Sequence, residues 1–150
     1  MSALKELYQE VILDHNKSPR NFHRMDNADR KVDGYNPLCG DHYTIFVKFE
    51  NDIIKDISFE GAGCAISKAS ASVMSSVIKG KTKAEAEEIF RQFHRLVTGD
   101  SAAMNGADTL GKLAAFSGVS EFPARVKCAS LAWHTLHAAL STKEHRVSTE

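Results

Sequence analysis

Apolar and polar positions change their spacing several times along this chain, and each change marks an element. Leu4, Leu7, Tyr8, Val11 and Ile12 recur at helical intervals behind Ser2, a residue able to cap a first turn. The helix they predict ends in the turn-like stretch N-K-S-P-R-N that begins at Asn16. From Asn27 to Pro37 the sequence is polar and irregular, with room for a further strand before Tyr35. Tyr43, Ile45, Val47 and Phe49 then alternate with Thr44, Lys48 and Glu50, the period of two that a half-buried strand requires. Asn51 and Asp52 are turn residues, after which Ile53, Ile57 and Phe59 resume the β-favouring pattern, so the two runs predict a hairpin.

Beyond Gly61 the spacing becomes helical. G-A-G-C-A-I-S closes the second strand, and the small-residue run that follows, with Ile66, Val73, Val77 and Ile78, predicts a tightly packed helix opening near Ser67. Thr82 and Glu85 have capping-box spacing, and Ile89, Phe90, Phe93, Leu96 and Val97 carry an apolar stripe toward a stop at Gly99. Leu110, Leu113, Ala114 and Phe116 predict a short helix. Pro123 precedes a last one bearing Val126, Ala129, Trp133, Leu136 and Leu140, and the polar tail from Ser141 to Glu150 reads as frayed. Strands cluster early and helices follow, the pattern of one α+β domain over residues 1–150, with helices on a small antiparallel sheet.

Composition narrows the classes of function. With 150 residues, 43% hydrophobic and 25% charged, the chain has the balance of an ordinary globular domain. Lysine plus arginine equals aspartate plus glutamate at 19 each, so the basic excess that binds nucleic acid by counterion release is missing. No apolar run approaches the roughly 18 residues of a membrane span, and the amphipathic start carries early acids. No nucleic acid, no membrane and a cytoplasmic location are the expectations.

Three cysteines, Cys39, Cys64 and Cys128, are an odd number spread along the chain, a poor disulfide framework. Cys39 enters a predicted strand, Cys64 follows the hairpin and Cys128 lies early in the last helix; helix starts lower a thiol pKa. Three thiolates with Asp41, two residues from Cys39, make four ligands of the kinds and number zinc accepts. A lone thiol is by default a small buried hydrophobe, and a lone aspartate a turn residue or cap. Gly40, Gly61 and Gly63 permit close backbone approach and favour a shared site, although no C-x-x-C pair occurs. His15, His23, His42, His94, His134, His137 and His145 are scattered and read as surface or packing residues. Only His42 is close, and strand alternation points it away from Asp41. Trp133 reads as core, and K-G-K-T-K from Lys79 to Lys83 as a solvated loop without P-loop spacing.

Taken together, C-G-D at Cys39 to Asp41, G-A-G-C-A-I-S at Gly61 to Ser67 and F-P-A-R-V-K-C-A-S-L-A-W at Phe122 to Trp133 resemble the IscU and NifU amino-terminal family of iron-sulfur assembly proteins. Within it the chain is most similar to the SufU branch. Lys127 stands where IscU scaffolds carry a histidine ligand, the stretch between Cys64 and Cys128 is longer, and F-P-A-R departs from the IscU chaperone-docking motif. The resemblance implies a SufE/NifU-like fold with a sheet of about three antiparallel strands, and a metal site of Cys39, Asp41, Cys64 and Cys128 at one tip. It further implies a zinc-bound sulfur acceptor, in which Cys39 takes a sulfane sulfur from the persulfide of a SufS-type cysteine desulfurase after a histidine of that partner replaces it on zinc. Arg125, near one turn before Cys128, is a candidate for stabilising thiolate charge or contacting the partner, and equally for a surface salt bridge. The alternative is a scaffold that assembles a [2Fe-2S] cluster, or holds iron, on the same thiolates for delivery to apo-proteins. Zinc and clusters share soft sulfur ligands, so composition alone does not separate them.

Overall fold

In the computed structural model, which describes residues 2–99, 111–141 and 146–148 and the side chains of 9–99 and 112–140, the two alternating runs form the expected hairpin. Strand β1 (Arg30–Asn36) pairs antiparallel with β2 (Asp41–Glu50), which pairs antiparallel with β3 (Ile53–Ala62). Asn51, at φ 58°, turns the chain between β2 and β3. β1 is the strand that the polar stretch before Tyr35 had room for. Its inward positions are Val32, Gly34 and Asn36, so its period of two carries one apolar side chain of any size.

A three-residue strand, β4 (Arg146–Ser148), runs parallel to β1 opposite Asp33–Tyr35 and gives the order β3-β2-β1-β4. The tail beyond Ser141, expected to fray, is corrected here: the last helix includes Ser141, and the open edge of β1 supplies main-chain partners that no hydrophobic pattern announces. Residues 142–145, with His145, and 149–150 lie outside those described.

The helices are α1 (Ser2–Lys17), α2 (Ala65–Ile78), α3 (Lys83–Val97) and α4 (Pro123–Ser141), with a 3-10 helix over Gly111–Glu121. The cap at Ser2 and the side chains of Leu4, Leu7 and Tyr8 lie outside the described side chains, as does residue Leu110 altogether. Thr82 and Glu85 form the capping box, each main-chain N–H donating to the other's side chain at 2.9 and 3.1 Å, and Gly99 follows the C-cap Thr98.

Helix α2 packs on β3, and α4 on β1 and β2, while α1, α3 and the 3-10 segment pack on those two helices. Small residues allow the approach. A side chain at Gly34 would collide with Thr135 and Leu131 of α4, so β1 accepts that helix only where it has no Cβ. On α2, Ser70 donates to the Ala129 carbonyl at 2.6 Å and accepts from Trp133 Nε1 at 3.2 Å, satisfying the indole N–H in the core. Ser72 accepts the Arg20 N–H at 2.8 Å and bonds His15 Nδ1 at 2.7 Å, tying α2 to the end of α1. Trp133, fully buried as expected, stacks on Phe93 of α3 with ring centroids 4.6 Å apart.

Candidate metal centre

The inward face of β2 reads Asp41, Tyr43, Ile45 and Val47, so a carboxylate continues an apolar row to the end of the sheet. Asp41 is fully buried, and such a charge persists only where donors surround it. Cys64 N–H and the Ser67 hydroxyl donate to its Oδ1 at 2.8 and 3.1 Å, and Asn36 Nδ2 donates to Oδ2 at 3.0 Å. The loop from β3 into α2 reaches this close because residue 63 is glycine: a Cβ there would lie 2.5 Å from both Asp41 Oδ1 and Ser67 Oγ. Behind them the Tyr43 hydroxyl bonds Ser67 Oγ at 3.1 Å. Its pKa is pushed up to about 12, chiefly by burial, with the Ser67 hydrogen bond opposing and Coulombic interaction with Asp41, Cys64 and Cys128 adding.

Two thiols meet the carboxylate. Cys39 is exposed in the β1–β2 loop, which the Gly40 N–H closes onto the Asn36 carbonyl at 2.9 Å. Cys128, buried in the second turn of α4, brings its Sγ to 3.2 Å from Cys39 Sγ, and Asn36 Nδ2 lies 3.6 Å from the same sulfur. Burial raises the Cys128 pKa well above the usual thiol range, and its contact with Cys39 and the charges of Cys64 and Asp41 raise it further. A cation would reverse that balance, since a coordinating thiol is deprotonated outright.

Donor atoms of Cys39, Asp41 and Cys128 all lie within 4.8 Å of one another, the one such group of three among the described residues. Bonds of about 2.0–2.3 Å to a common zinc would hold donors within roughly twice that distance of each other, so the set fits this ion in chemistry and spacing. The fourth expected ligand stands apart. Cys64 is exposed, and its Sγ accepts the Ser67 N–H at 3.4 Å as the N-cap of α2, joined to the site through its main-chain bond to Asp41.

His42 points to the opposite face from Asp41, as alternation predicts, with Nε2 4.0 Å from Asp33 Oδ1. Arg125 is exposed at the start of α4 with its guanidinium over the Phe122 ring, 5.2 Å from the centroid, so the partner it has here is aromatic. Sequence reading missed Asn36, Tyr43 and Ser67 as members of the site. Their signals were a polar residue in phase with Val32, a hydroxyl two positions after Asp41 on one strand face, and a serine one turn after Cys64.

The chain is similar in sequence and in fold to proteins of known kind. The family model for the NifU-like N-terminal domain matches residues 7–129. A zinc-dependent sulfurtransferase SufU of Bacillus subtilis is 42% identical over 141 residues, covering 94% of this chain and 94% of that one. An iron-sulfur cluster assembly scaffold protein IscU of Streptococcus pyogenes serotype M1 is 40% identical, covering 93% and 86%. Among solved structures, a putative iron-sulfur cluster assembly scaffold protein for the SUF system from Fervidobacterium islandicum AW-1 superposes with a TM-score of 0.79 at 39% identity, covering 88% of this chain and 95% of that one. With the sheet, the helices and the cysteine–aspartate group all in place, the chain belongs to the NifU-like N-terminal domain family.

Proposed function

We propose that this protein is a zinc-dependent sulfur acceptor in iron-sulfur cluster assembly, taking sulfur from a SufS-type cysteine desulfurase in the cytoplasm and passing it toward cluster assembly on apo-proteins. The observation that carries the reading is the exposed Cys39 sulfur 3.2 Å from the buried Cys128 sulfur, in one donor group with Asp41. The name of the Bacillus subtilis relative, 42% identical over nearly the whole chain, favours zinc and sulfur transfer over a cluster scaffold.

Cys39, Asp41 and Cys128 would hold the ion, with Cys64 turned from its capping position as the fourth ligand. Bound zinc supplies positive charge that keeps buried thiols ionised at neutral pH. Cys39, the exposed thiol on the loop, is the one a large partner can reach. Its thiolate attacks the outer sulfur of the donor persulfide: a new S–S bond forms on Cys39, the donor S–S bond breaks, and the donor cysteine leaves as thiolate. Asp41 and Cys128, both buried, stay behind. Arg125, exposed beside Phe122 and three residues before Cys128 in the sequence, is assigned to contact with the partner.

Metal analysis and an absorbance spectrum of protein purified without oxygen, followed by a desulfurase assay with and without it, test this. Stoichiometric zinc, no visible cluster band and strong activation are expected; a reconstitutable cluster handed to an apo-ferredoxin would overturn the reading in favour of the scaffold.

A further inference from the structure

Asn36 is fully buried at the end of β1, directly opposite Asp41 across the sheet. Its side-chain amide has two N–H donors, and two different members of the donor group lie within reach: Asp41 Oδ2 at 3.0 Å and Cys128 Sγ at 3.6 Å. Its main-chain carbonyl accepts the Gly40 N–H and so closes the loop that carries Cys39. One residue thereby touches the strand, the loop and the helix that bring the three donors together.

The other half of the amide is what separates a site residue from a structural one. Asn36 Oδ1 is buried with no hydrogen-bond partner among the described residues. Turning the amide over would leave Oδ1 facing a carboxylate oxygen, so the orientation is fixed by its neighbours. A buried amide with an orphaned carbonyl is a poor way to stabilise a fold, and such groups call for another explanation. Here the explanation lies in the donors: the amide aims positive hydrogen at both buried ligands and holds them in place.

We infer that Asn36 is a positioning residue for the metal site, fixing the Asp41 carboxylate and the Cys128 sulfur in the arrangement that receives the ion. The inference deepens the sulfur-acceptor reading and rests on that site holding a metal. Partners of this kind orient ligands, and their loss typically costs about 10- to 100-fold in metal affinity.

The test uses Asn36→Leu, which keeps side-chain bulk and removes both donors and the orphaned acceptor, with Asn36→Ala as a second variant and Asn36→Gln as the variant that keeps the amide. Zinc affinity is read by chelator competition, ligand geometry by the absorption of the cobalt-loaded protein, and fold stability by urea melts of the metal-free protein. Expected for Leu and Ala are zinc binding weakened about 10- to 100-fold and altered cobalt bands, with Gln recovering part of both. Metal-free Asn36→Leu should melt below the parent, because the buried Asp41 Oδ2 loses its donor, yet remain folded under the denaturant-free conditions of the zinc titration. Parental zinc affinity in both Leu and Ala, or cobalt bands identical to the parent's in both, would overturn the inference. Sulfur acceptance is scored separately. If Leu and Ala bind zinc like a sulfur-accepting parent, the inference fails and the functional reading stands. If zinc binding depends on Asn36 but the parent accepts no sulfur, the reverse holds.

Discussion

The sulfurs of Cys39 and Cys128, 89 positions apart in the chain, lie 3.2 Å from each other, one on an exposed loop and the other buried beneath it. Of these two thiols, only Cys39 is open to an approaching partner. Replacing Cys39 by serine should leave the fold intact, because the residue is exposed, and abolish sulfur acceptance. Mass spectrometry after incubation with desulfurase and cysteine checks this: the parent gains the mass of one sulfur atom, and a Cys39→Ser protein that gains it too would contradict the assignment.

Cys64 caps α2, and that role can be separated from its proposed one as a metal ligand. As an N-cap it is a poor choice, and serine is a preferred one. Cys64→Ser should therefore preserve or raise the stability of the metal-free protein, by up to about 1 kcal/mol, while weakening zinc binding. Urea melts and chelator competition on the same sample read the two effects; unchanged zinc affinity would leave the sulfur as a cap alone.

Gly63→Ala forces a methyl group to within 2.5 Å of Asp41 Oδ1 and Ser67 Oγ. The loop must retreat, loosening the Cys64 N–H bond to the carboxylate, at a cost of about 1–3 kcal/mol in stability. Denaturant melts should register that loss and metal titration a parallel weakening. The same substitution at Gly80, where a Cβ meets nothing within 4 Å, lacks the clash, although its φ of +86° brings backbone strain of its own.

Acid should destabilise the metal-free protein through two imidazoles. Burial lowers the pKa of His15 below 6.5, with Arg20 and Lys112 adding and Asp14 opposing; burial likewise lowers that of His134, with His94 and His137 adding. Below 6.5 the unfolded chain takes up protons that these folded imidazoles still refuse, so stability is greatest above that pH and falls as pH drops toward the folded values. Urea melts from about pH 8 to pH 5 should show this decline, and His134→Phe should flatten part of it. A parent whose midpoint is level across that range would contradict the assignment.

What the sequence made legible was whatever rested on side-chain pattern. The hairpin appears in Tyr43 to Phe59, the capping box in Thr82 and Glu85, and the last helix in Pro123 to Leu140. Residue type and glycine context made three cysteines and Asp41 a candidate set, the family resemblance joined them into one site, and three of those four donors lie together. Less legible were features set by the main chain or by polar residues facing inward. β1 buries valine, glycine and asparagine, which no hydrophobic period reveals, and β4 is held by main-chain pairing. Asn36 sits beside Pro37 and reads as a turn residue until the strand register sets it against Asp41. Cys64 counts as a ligand by type alone, because only the start of α2 discloses the amide its sulfur caps.

Trp133 is the only tryptophan in the chain, and its ring lies against Phe93 of α3, its N–H on Ser70 of α2, and its main chain in the helix that carries Cys128. The protein thus contains a single indole fluorophore, selectively excitable apart from its three tyrosines, at the junction of three helices. Its emission reports the packing of those helices together, without an attached label, and spares every thiol of the site for the chemistry under study.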